Sequence, residues 1–421
     1  MCCEHGSVVV VLPAAAQPVS GRREDTCAQG DGHGAVADER VTAVASSRMA
    51  PMRVGVVGCG DVATRIYLPN SQRFPEFEIV ACADVDPHRA RELSTASGVP
   101  HLSVPELLRS DGVDIVLNLT SPTAHHEVSL AAIEAGKHVY SEKPLAIEPA
   151  AARQILRAAE RRGVRVACSP DTFLGASLAT ARRLVSEGVL GIPVSAEVVM
   201  QHSGIERFGH PRPQAFYAPG GGPLLDMGPY YLTPLARLFG PVARVEAMSR
   251  ITHPTRTVLT GPDEGTSIRV TTPSHLASLL RFEHGLLATV TMSFDCAFWT
   301  HTFTLNGRDA SLRLADPDEF GGPISIRRAD DDDWSDVELD PGITDQGRGL
   351  GLADLAEAIA EERPHRASSA IALHVVDVMA AVLAAADGEH PVAVPPLEVV
   401  DELAGDLPGV DSSLPKSERA T

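Results

Sequence analysis

The stretch MRVGVVGCGDVATRIYL, residues 52–68, decides the fold of this chain. It joins an apolar run rich in β-branched residues to the turn GCGDVA, residues 58–63, and then to residues that can continue as a helix. In a G-x-G-x-x-A turn the first glycine allows a tight bend, the second lets backbone approach a pyrophosphate, and the alanine lets helix and strand pack closely. The helix N-terminus then faces the phosphates. The stretch therefore predicts dinucleotide contacts at Gly58, Gly60, Asp61, Val62 and Ala63.

A second predicted strand, residues 77–83, ends at Asp84. A carboxylate at this place accepts hydrogen bonds from the adenosine ribose hydroxyls and repels a ribose 2'-phosphate. Because no arginine or lysine follows until Arg89, the sequence favours NAD over NADP, with NADP still open. In the alternative interpretation, Asp84 only caps the helix that begins near Pro87.

Strand, loop and helix alternate three times in this half of the chain. A third predicted strand over 113–119 leads into Thr120, Ser121 and Pro122, and a helix is predicted over 124–136. This alternation predicts a doubly wound parallel sheet of the α/β class. A short strand follows in KHVYSEKPL, residues 137–145. Ligands of such sheets bind at the carboxyl ends of the strands, so Lys143 is predicted to point into the cofactor cleft. The alternative is an exposed lysine.

These motifs resemble one family. The segments GVVGCGDVA, ACADVDP and LTSPTAHHEVSLAAIEAGKHVYSEKPLA are similar to those of the Gfo/Idh/MocA oxidoreductases, and the resemblance extends from residue 52 to about 396. It implies a Rossmann domain over 52–170 and an α+β domain over 171–400. The large, mostly antiparallel sheet of the second domain often forms a subunit interface, which implies a homodimer or homotetramer. The resemblance also implies NAD or NADP, and hydride transfer at a carbinol carbon of a sugar, glycoside or cyclitol.

The resemblance also assigns roles to single residues. The lysine of the Glu-Lys-Pro triplet reaches both the nicotinamide ribose and the substrate hydroxyl. Asp171 falls where many members carry an arginine or asparagine that contacts substrate. The implied cofactor contacts are Gly58, Gly60, Asp61, Val62, Ala63, Asp84, Thr120, Ser121, Pro122, His126, Glu142 and Lys143. The implied substrate contacts are Lys143, Asp171, Asp226 and Tyr230, of which all but Asp171 are also the implied catalytic residues.

The stretch GGGPLLDMGPYYL, residues 220–232, departs from the family pattern. The family motif D-x-G-x-H ends in a histidine, and this chain has Tyr230 there. With a reference pKa of about 10, a tyrosine needs a nearby cation to take part in proton transfer at neutral pH. Lys143 is one such cation. Alternatively Lys143 accepts the proton itself, and Asp226 and Tyr230 orient the hydroxyls. Sequences with D-M-G-P-Y-Y in place of D-x-G-x-H resemble a branch of the family, and the stretches PDTFLGA (170–176), GHPRPQAFY (209–217) and DPDEFGGP (316–323) are similar to that branch. The motif does not identify the substrates of the branch.

The later sequence changes to alternating strands, which indicates antiparallel pairing. Arg348 and His374 lie in or near predicted helices, and each is interpreted as structural more readily than catalytic. The run of aspartates at 330–333 is interpreted as a solvated turn rather than a metal site. The strands are predicted over 194–200, 243–249, 274–282, 286–294 and 302–306.

Composition limits the function further. The net charge of −19 disfavours nucleic acid as a partner, because such binding depends on lysine and arginine at phosphates. Seven cysteines without CxxC pairs indicate reduced thiols in a cytoplasmic protein, with no metal site.

The apolar run near the start lacks the basic residues of a secretory signal and is too short to span a bilayer. Residues 1–51 are predicted to be a disordered tail or a start codon placed too early, and 401–421 a flexible tail.

Three functions compete on this evidence. The first is an NAD-dependent dehydrogenase of sugars, glycosides or cyclitols. The second is a reductase that uses NADPH on a keto-sugar, and the third is a non-catalytic sensor that keeps the fold and binds nucleotide. The tyrosine at 230 favours the sensor. The retention of Lys143 and Asp226 favours the enzymes.

Overall fold

The computed structural model describes residues 50–397, so nearly all of both predicted tails lies outside the described residues. The first half of the described chain forms a five-stranded, all-parallel sheet in the order β2-β1-β3-β4-β5. The predicted strand over 77–83 is confirmed, and the third strand is shorter than predicted. The strands are β1 (Met52–Val57), β2 (Phe77–Ala83), β3 (Ile115–Asn118), β4 (His138–Ser141) and β5 (Val166–Cys168).

Helices cover this sheet, as expected when parallel strands need crossover connections. A π-helical turn, Ala63–Tyr67, follows the fingerprint and leads into the first α-helix. The predicted helix over 124–136 is present with slightly shorter bounds. The helices are α1 (Leu68–Ser71), α2 (Pro87–Ser97), α3 (Val104–Arg109), α4 (His125–Glu134) and α5 (Pro149–Arg162).

Local signals explain where several of these helices begin. The side chain of Asp86 accepts a hydrogen bond from the backbone N–H of His88 and so caps α2. Ser103 and Glu106 form a capping box at α3, in which each side chain bonds the backbone of the other. The interpretation of Asp84 as the cap of α2 is therefore wrong. Its carboxylate instead accepts the backbone N–H of Asp86 at 2.8 Å.

The second half of the described chain forms a nine-stranded sheet in the order β15-β14-β13-β12-β6-β11-β10-β7-β16, and β8 pairs with β9 in a separate ribbon. The strands are β6 (Pro193–Gln201), β7 (Val242–Arg250), β8 (Thr255–Thr257), β9 (Ser267–Arg269), β10 (His275–Phe282), β11 (Leu287–Ser293), β12 (Thr300–Gly307), β13 (Ala310–Arg313), β14 (Ile324–Arg328), β15 (Ser335–Val337) and β16 (Val392–Ala393). The expected antiparallel pairing is wrong for β6 and β11, which run parallel. Alternating side chains report which face is buried and carry no information on strand direction.

Four helices accompany this sheet: α6 (Ala176–Ser186), α7 (Pro223–Phe239), α8 (Leu350–Ala360) and α9 (Ser369–Gly388). All 17 residues of α7 except Arg237 are buried, and the helix packs against α9, β10 and β11. By length and composition α9 is the one described helix that could cross a membrane, and it packs here against β7 and α7. α7 and α9 therefore cover one face of this sheet, α6 packs against α7, and α8 contacts β5 and β2 of the first sheet.

The opposite face of the sheet carries exposed apolar side chains on three neighbouring strands. Leu287, Leu279 and Met248 lie on β11, β10 and β7, and Met248 is 75% exposed. The use of this face as a subunit interface stays a prediction. Residues 51–397 belong to one compact unit, so the predicted boundary at 170/171 also stays a prediction.

Candidate functional site

The fingerprint turn has the backbone that its glycines permit. Gly58 has a φ of 102°, and a Cβ there would lie 2.6 Å from the carbonyl carbon and oxygen of Leu119 at the end of β3. A side chain is therefore excluded at this position both by conformation and by space. At Gly60 an added Cβ meets no atom within 4 Å, because this residue faces the groove. The turn thus leaves room for a group that approaches the backbone closely, as a pyrophosphate does.

Asp84 holds the fingerprint turn through its carboxylate. One oxygen accepts the backbone N–H of Cys59 at 2.7 Å, while the other accepts that of Asp86. The carboxylate also lines the groove beside the turn, and each of its oxygens can accept a further hydrogen bond. The same side chain is therefore fixed by the loop and available to ribose hydroxyls.

A groove of about 730 Å³ runs along the carboxyl ends of β1, β2 and β3. Seven of the predicted cofactor contacts line it: Gly58, Gly60, Asp61, Val62, Asp84, Thr120 and Ser121. Ala63 is buried behind the turn instead, where a small residue lets strand and helix approach. Two residues that were not predicted, Arg89 and Arg91, also line the groove near Asp84.

A second pocket of about 290 Å³ opens beside the groove and shares Ser121 and Arg212 with it. Lys143, Asp226 and Pro122 are among its walls. The predicted contacts to cofactor and to substrate therefore form neighbouring cavities. This is the arrangement needed when a group passes from one bound molecule to another.

The Lys143 side chain is 1% exposed and is anchored on α7. Its ammonium donates to the carbonyl oxygen of Asp226 at 2.7 Å and to the carboxylate oxygen of the same residue at 3.2 Å. The alternative of an exposed lysine is wrong. A buried ammonium is stable only when it is paired and hydrogen-bonded, and Asp226 supplies both.

A buried network holds Glu142 directly behind this lysine. One Glu142 oxygen accepts from the hydroxyl of Tyr67 at 3.0 Å, and the other accepts the backbone N–H of Lys143 at 2.9 Å. Ser169 lies 3.1 Å from the Tyr67 hydroxyl. Burial and the nearby Glu142 carboxylate raise the pKa of Tyr67 well above its ordinary value. Tyr67 therefore remains a donor, and Glu142, a predicted cofactor contact, bonds the backbone of Lys143 and is not among the walls of the groove.

Tyr230 contacts two cations in different ways. The Lys143 Nζ lies 5.0 Å from the centroid of the Tyr230 ring, on its face. The Tyr230 hydroxyl instead accepts a hydrogen bond from Arg348 at 3.1 Å. Arg348 in turn pairs with Asp318 of the DPDEFGGP stretch. The structure thus brings Lys143, Asp226 and Tyr230 together, and the cation at the hydroxyl is Arg348. Tyr230 is 1% exposed and is not among the walls of either cavity, so its predicted contact with substrate gains no support from the geometry.

The structure separates the two adjacent histidines of α4. The His126 ring lies 2.9 Å from the side-chain oxygen of Gln154, on α5. The His125 ring is buried, and its nitrogens lie 2.7 Å from the carbonyl oxygen of Pro144 and 3.0 Å from that of Thr120. Burial lowers the pKa of His125. His125, which the sequence did not single out, therefore connects the loop after β3 with the Glu-Lys-Pro loop.

Asp171 has a structural contact at the N-terminus of α8. One carboxylate oxygen accepts the backbone N–H groups of Gly349 and Gly351, each at 3.0 Å. Burial raises the pKa of Asp171. The residue is not among the walls of the pocket that holds Lys143, so its predicted contact with substrate gains no support from the geometry.

Residues 205–221 form a loop that sequence reasoning missed as part of the site. Arg212 lines both cavities, and Phe216 lines the second. The loop is anchored by a buried ion pair between Arg256 and Glu206 at 2.6 Å and by Tyr217, whose hydroxyl accepts the Ile205 N–H at 3.0 Å. The GHPRPQAFY stretch was the part of the sequence that could have marked this loop, but it does not predict that the Arg212 side chain faces the cavities.

His374 and the aspartate run at 330–333 lie outside both cavities and have structural contacts. His374, on α9, accepts the backbone N–H of Val242 at 2.9 Å, and burial lowers its pKa to about 4. The aspartates at 330–333 follow β14, where the N–H of Asp331 bonds the carbonyl of Arg328 in a turn. The structural interpretation of His374 agrees with this geometry.

A parallel sheet with a glycine turn, an open groove at its carboxyl edge and a buried lysine in the adjoining pocket defines the class of nucleotide-dependent oxidoreductases. Comparison with known proteins gives the family. The model "Oxidoreductase family, NAD-binding Rossmann fold" matches residues 52–169, and the model "GFO/IDH/MocA C-terminal domain" matches residues 178–313. The chain belongs to the Gfo/Idh/MocA family, binds NAD through its Rossmann fold, and is an oxidoreductase of the kind that acts on CH–OH groups.

Similar proteins are named for sugars and inositols. The chain is 28% identical over 296 residues to 1,5-anhydro-D-fructose reductase of Ensifer adhaerens, which covers 69% of this chain and 83% of the relative. It is 28% identical to myo-inositol 2-dehydrogenase of Thermotoga maritima, over 42% of this chain and 51% of the relative. The solved structure of levoglucosan dehydrogenase in complex with NADH and L-sorbose superposes with a TM-score of 0.73 at 21% identity, covering 83% of this chain and all of that one. This last likeness shows the shared fold.

Proposed function

We propose that the chain is an NAD-dependent dehydrogenase that transfers hydride between nicotinamide and a carbinol carbon of a sugar, glycoside or cyclitol. The relatives named for such compounds support the substrate class. The pocket beside the groove is lined mainly by backbone, proline and small side chains, with Lys143, Asp226 and Arg212 as its charged groups. Such a wall suits a small polyol that is fixed by a few polar contacts.

The observation that carries the proposal is the buried Lys143. Removing an ammonium from water costs several kcal/mol, and Asp226 offsets this only in part. A nucleotide sensor without chemistry has no need of such a group beside its cofactor groove. Catalytic sites, in contrast, place lysines in desolvated surroundings so that they exchange protons. The geometry therefore favours the enzyme over the sensor.

The residues of the groove fit NAD. The open space at Gly60 and the free lone pairs of Asp84 suit the pyrophosphate and the adenosine ribose. We assign the remaining contacts of the cofactor to Asp61, Val62, Thr120 and Ser121 on the same wall. The nicotinamide, when bound, supplies the hydride acceptor.

The chain's own residues handle the substrate proton. In its neutral form Lys143 accepts the proton of the hydroxyl under oxidation or passes it on, and as an ammonium it donates to Asp226. Asp226 holds the lysine and accepts from a second substrate hydroxyl. We assign Tyr230 to the orientation of a substrate hydroxyl, and its own oxygen accepts a hydrogen bond from Arg348. In this assignment Lys143 is the base or relay, and Tyr230 is an orienting group.

A direct test is a screen of aldoses, glycosides and inositols with NAD, followed by absorbance at the reduced-nicotinamide band. One of these classes is expected to be oxidised by the parent and not by Lys143→Met. Arg327→Gln, an exposed arginine on β14, serves as the matched control and is expected to keep parental activity. Absence of turnover on all three classes, in both directions, would refute the proposal.

The position of Arg89 and Arg91 favours a second candidate, an NADPH-dependent keto-sugar reductase. Both line the groove near Asp84, and guanidinium groups there suit a ribose 2'-phosphate. Arg89 is drawn toward Asp86, however, with its Nε 3.8 Å from that carboxylate. Parallel titrations with NAD and NADP distinguish the two candidates.

A homodimer or homotetramer through the open face of the nine-stranded sheet is also proposed. The exposed apolar side chains on β11, β10 and β7 form a patch on this face. Met248→Glu, at the most exposed residue of the patch, is expected to shift the oligomer toward monomer in analytical ultracentrifugation. An unchanged mass would refute this use of the face.

A further inference from the structure

A pocket of about 340 Å³ opens between α6, α7 and the segment that precedes α9. Asp226, which anchors Lys143, lies in the first turn of α7, whereas Arg237 lines this pocket from the last turn. The two residues are eleven positions apart in the chain, which is about 16 Å along a helix axis. None of the described residues lines both this pocket and either cavity of the candidate site. The pocket is therefore separate from the place of the proposed reaction.

Four arginines dominate the polar lining of this pocket. Arg182 and Arg183 lie on α6, Arg237 on α7, and Arg366 just before α9. No described aspartate or glutamate is among the walls, although the chain as a whole has 55 acidic residues and only 36 lysines and arginines. A guanidinium presents N–H donors in a planar fork that matches the oxygens of a phosphate or a carboxylate. The lining therefore has the composition of an oxyanion site.

Three of these arginines are held in place by acceptors next to the pocket. Arg183 Nε donates to the carboxylate of Asp340 at 2.9 Å, and Arg366 Nε donates to that of Asp354 at 2.8 Å. Arg237 Nη1 donates to the carbonyl oxygen of Arg366 at 3.0 Å. The wall is thus largely formed without a ligand, and less side-chain entropy is lost when one binds.

N–H donors remain for a ligand after these contacts. Arg182 is exposed, and its side chain has no hydrogen bond or ion pair with any described residue. The terminal nitrogens Nη1 and Nη2 of Arg366 also have no acceptor within the part of the chain that the structure describes. A guanidinium only donates, so these groups are satisfied by water or by the oxygens of a ligand.

The rest of the lining is largely apolar. Phe173, Leu178 and Leu238 contribute to it and are 8%, 4% and 5% exposed. The Arg237 guanidinium lies 4.8 Å from the centroid of the Phe173 ring and so joins the apolar wall to the charged one. Small-molecule sites have volumes of roughly 300–1,000 Å³ and combine apolar walls with a few polar groups. The volume and lining of this pocket fit an organic molecule better than a bare inorganic ion.

We propose that this pocket binds a small organic molecule that carries a phosphate or a carboxylate group. Arg182 and Arg366 hold the oxyanion, and the carbon skeleton lies against Phe173, Leu178 and Leu238. This site is additional to those of the cofactor and the substrate, and it does not depend on which polyol the enzyme oxidises.

Calorimetric titration at saturating NAD tests the site, because NAD occupies the phosphate-binding turn of the groove and leaves this pocket open. Phenyl phosphate and benzoate are the probes, since they share an aromatic ring and differ in the oxyanion. One saturable site per chain is expected for at least one of them, and the tighter probe identifies the oxyanion. Absence of saturable binding for both probes would overturn the proposal.

Two further compounds separate the contributions of charge and ring. Benzyl alcohol, which lacks the charge, is expected to give no saturable binding. Inorganic phosphate, which lacks the ring, is expected to bind at least about tenfold more weakly than the tighter probe, because it buries no apolar surface. If either compound binds as tightly as the probes, the proposed ligand class is wrong.

Arg182→Gln locates the binding in this pocket. Because Arg182 is exposed and its side chain has no contact of this kind with described residues, the substitution is expected to leave the fold intact. The Kd of the tighter probe is expected to rise at least about tenfold, the effect of one charge-assisted hydrogen bond. Arg327→Gln, which changes an exposed arginine on β14, is the matched control and is expected to leave the Kd unchanged. Equal Kd values for the two variants would overturn the proposal.

Chemical modification of arginine gives a readout that needs no variant. Phenylglyoxal reacts with exposed arginines, and peptide mass spectrometry measures the extent of reaction at each one. With the tighter probe at about ten times its Kd, modification of Arg182 is expected to slow about tenfold, because only the unoccupied pocket reacts. Arg327 is expected to react at an unchanged rate. Equal slowing at the two arginines, or none at Arg182, would contradict the proposed site.

Discussion

Replacing Lys143 with methionine separates catalysis from stability in this site. Methionine keeps an unbranched side chain of similar length and removes the charge. Proton transfer by a positioned side chain contributes about 10²–10⁴ in rate, so kcat is expected to fall by at least 10². The Asp226 carboxylate, 7% exposed, loses its cation. A buried charge without its partner costs about 3–5 kcal/mol, so the free energy of unfolding is expected to fall by an amount of this order.

The double variant Lys143→Met with Asp226→Asn tells the two effects apart. A neutral amide leaves no uncompensated charge, so most of the lost stability is expected to return, while turnover stays low. Stability is measured by denaturant unfolding, and turnover by absorbance of the reduced nicotinamide. NAD affinity is measured by fluorescence titration. This affinity should change little, because Lys143 does not line the groove. The reasoning is refuted if Lys143→Met keeps a tenth or more of the parental kcat, or if the double variant regains it.

Three further predictions concern other parts of the chain. Tyr230→Phe is expected to lower kcat by about 10² and Tyr230→His by less, since histidine restores the group of the family motif; equal activity of Tyr230→Phe and the parent on the true substrate would contradict this. NAD should bind at least about tenfold more tightly than NADP, a difference of roughly 1.4 kcal/mol in binding free energy, and Asp84→Ala should reduce that ratio. A preference for NADP that Asp84→Ala leaves unchanged would argue against the role of this carboxylate. Burial and Asp318 raise the pKa of Asp316 to about 7, so this carboxyl favours the folded state at acid pH and loses that contribution as the pH rises through 7. Asp316→Asn should therefore raise the free energy of unfolding more at pH 8 than at pH 5, measured by denaturant unfolding. An equal effect at both pH values would disprove the raised pKa of Asp316.

The parts of the site that the sequence predicts are those set by local backbone. The fingerprint turn, the strand that ends at Asp84 and the Glu-Lys-Pro loop after β4 each depend on a few adjacent residues. Strand ends in a parallel sheet meet at one edge, so the groove follows from their order alone. The fold class is confirmed for the same reason.

The remaining features depend on contacts between residues distant in sequence, or on which of two adjacent residues of a helix faces the site. His125 and His126 differ by about 100° around α4, and only the packing of that helix decides which of them faces the loops. The partner of the Tyr230 hydroxyl, Arg348, lies 118 residues away in sequence. Arg212 reaches both cavities from a loop whose path is set by the buried pair of Glu206 and Arg256. No periodicity or local motif encodes such contacts.

The shorter of the two hydrogen bonds from Lys143 goes to a main-chain oxygen of α7. Every amino acid at position 226 supplies that oxygen, so the lysine keeps its principal anchor whichever side chain stands there. The carboxylate of Asp226 adds the negative charge that the buried ammonium requires. A neutral side chain at this position therefore changes the charge that Lys143 faces, while the main-chain oxygen still holds its nitrogen.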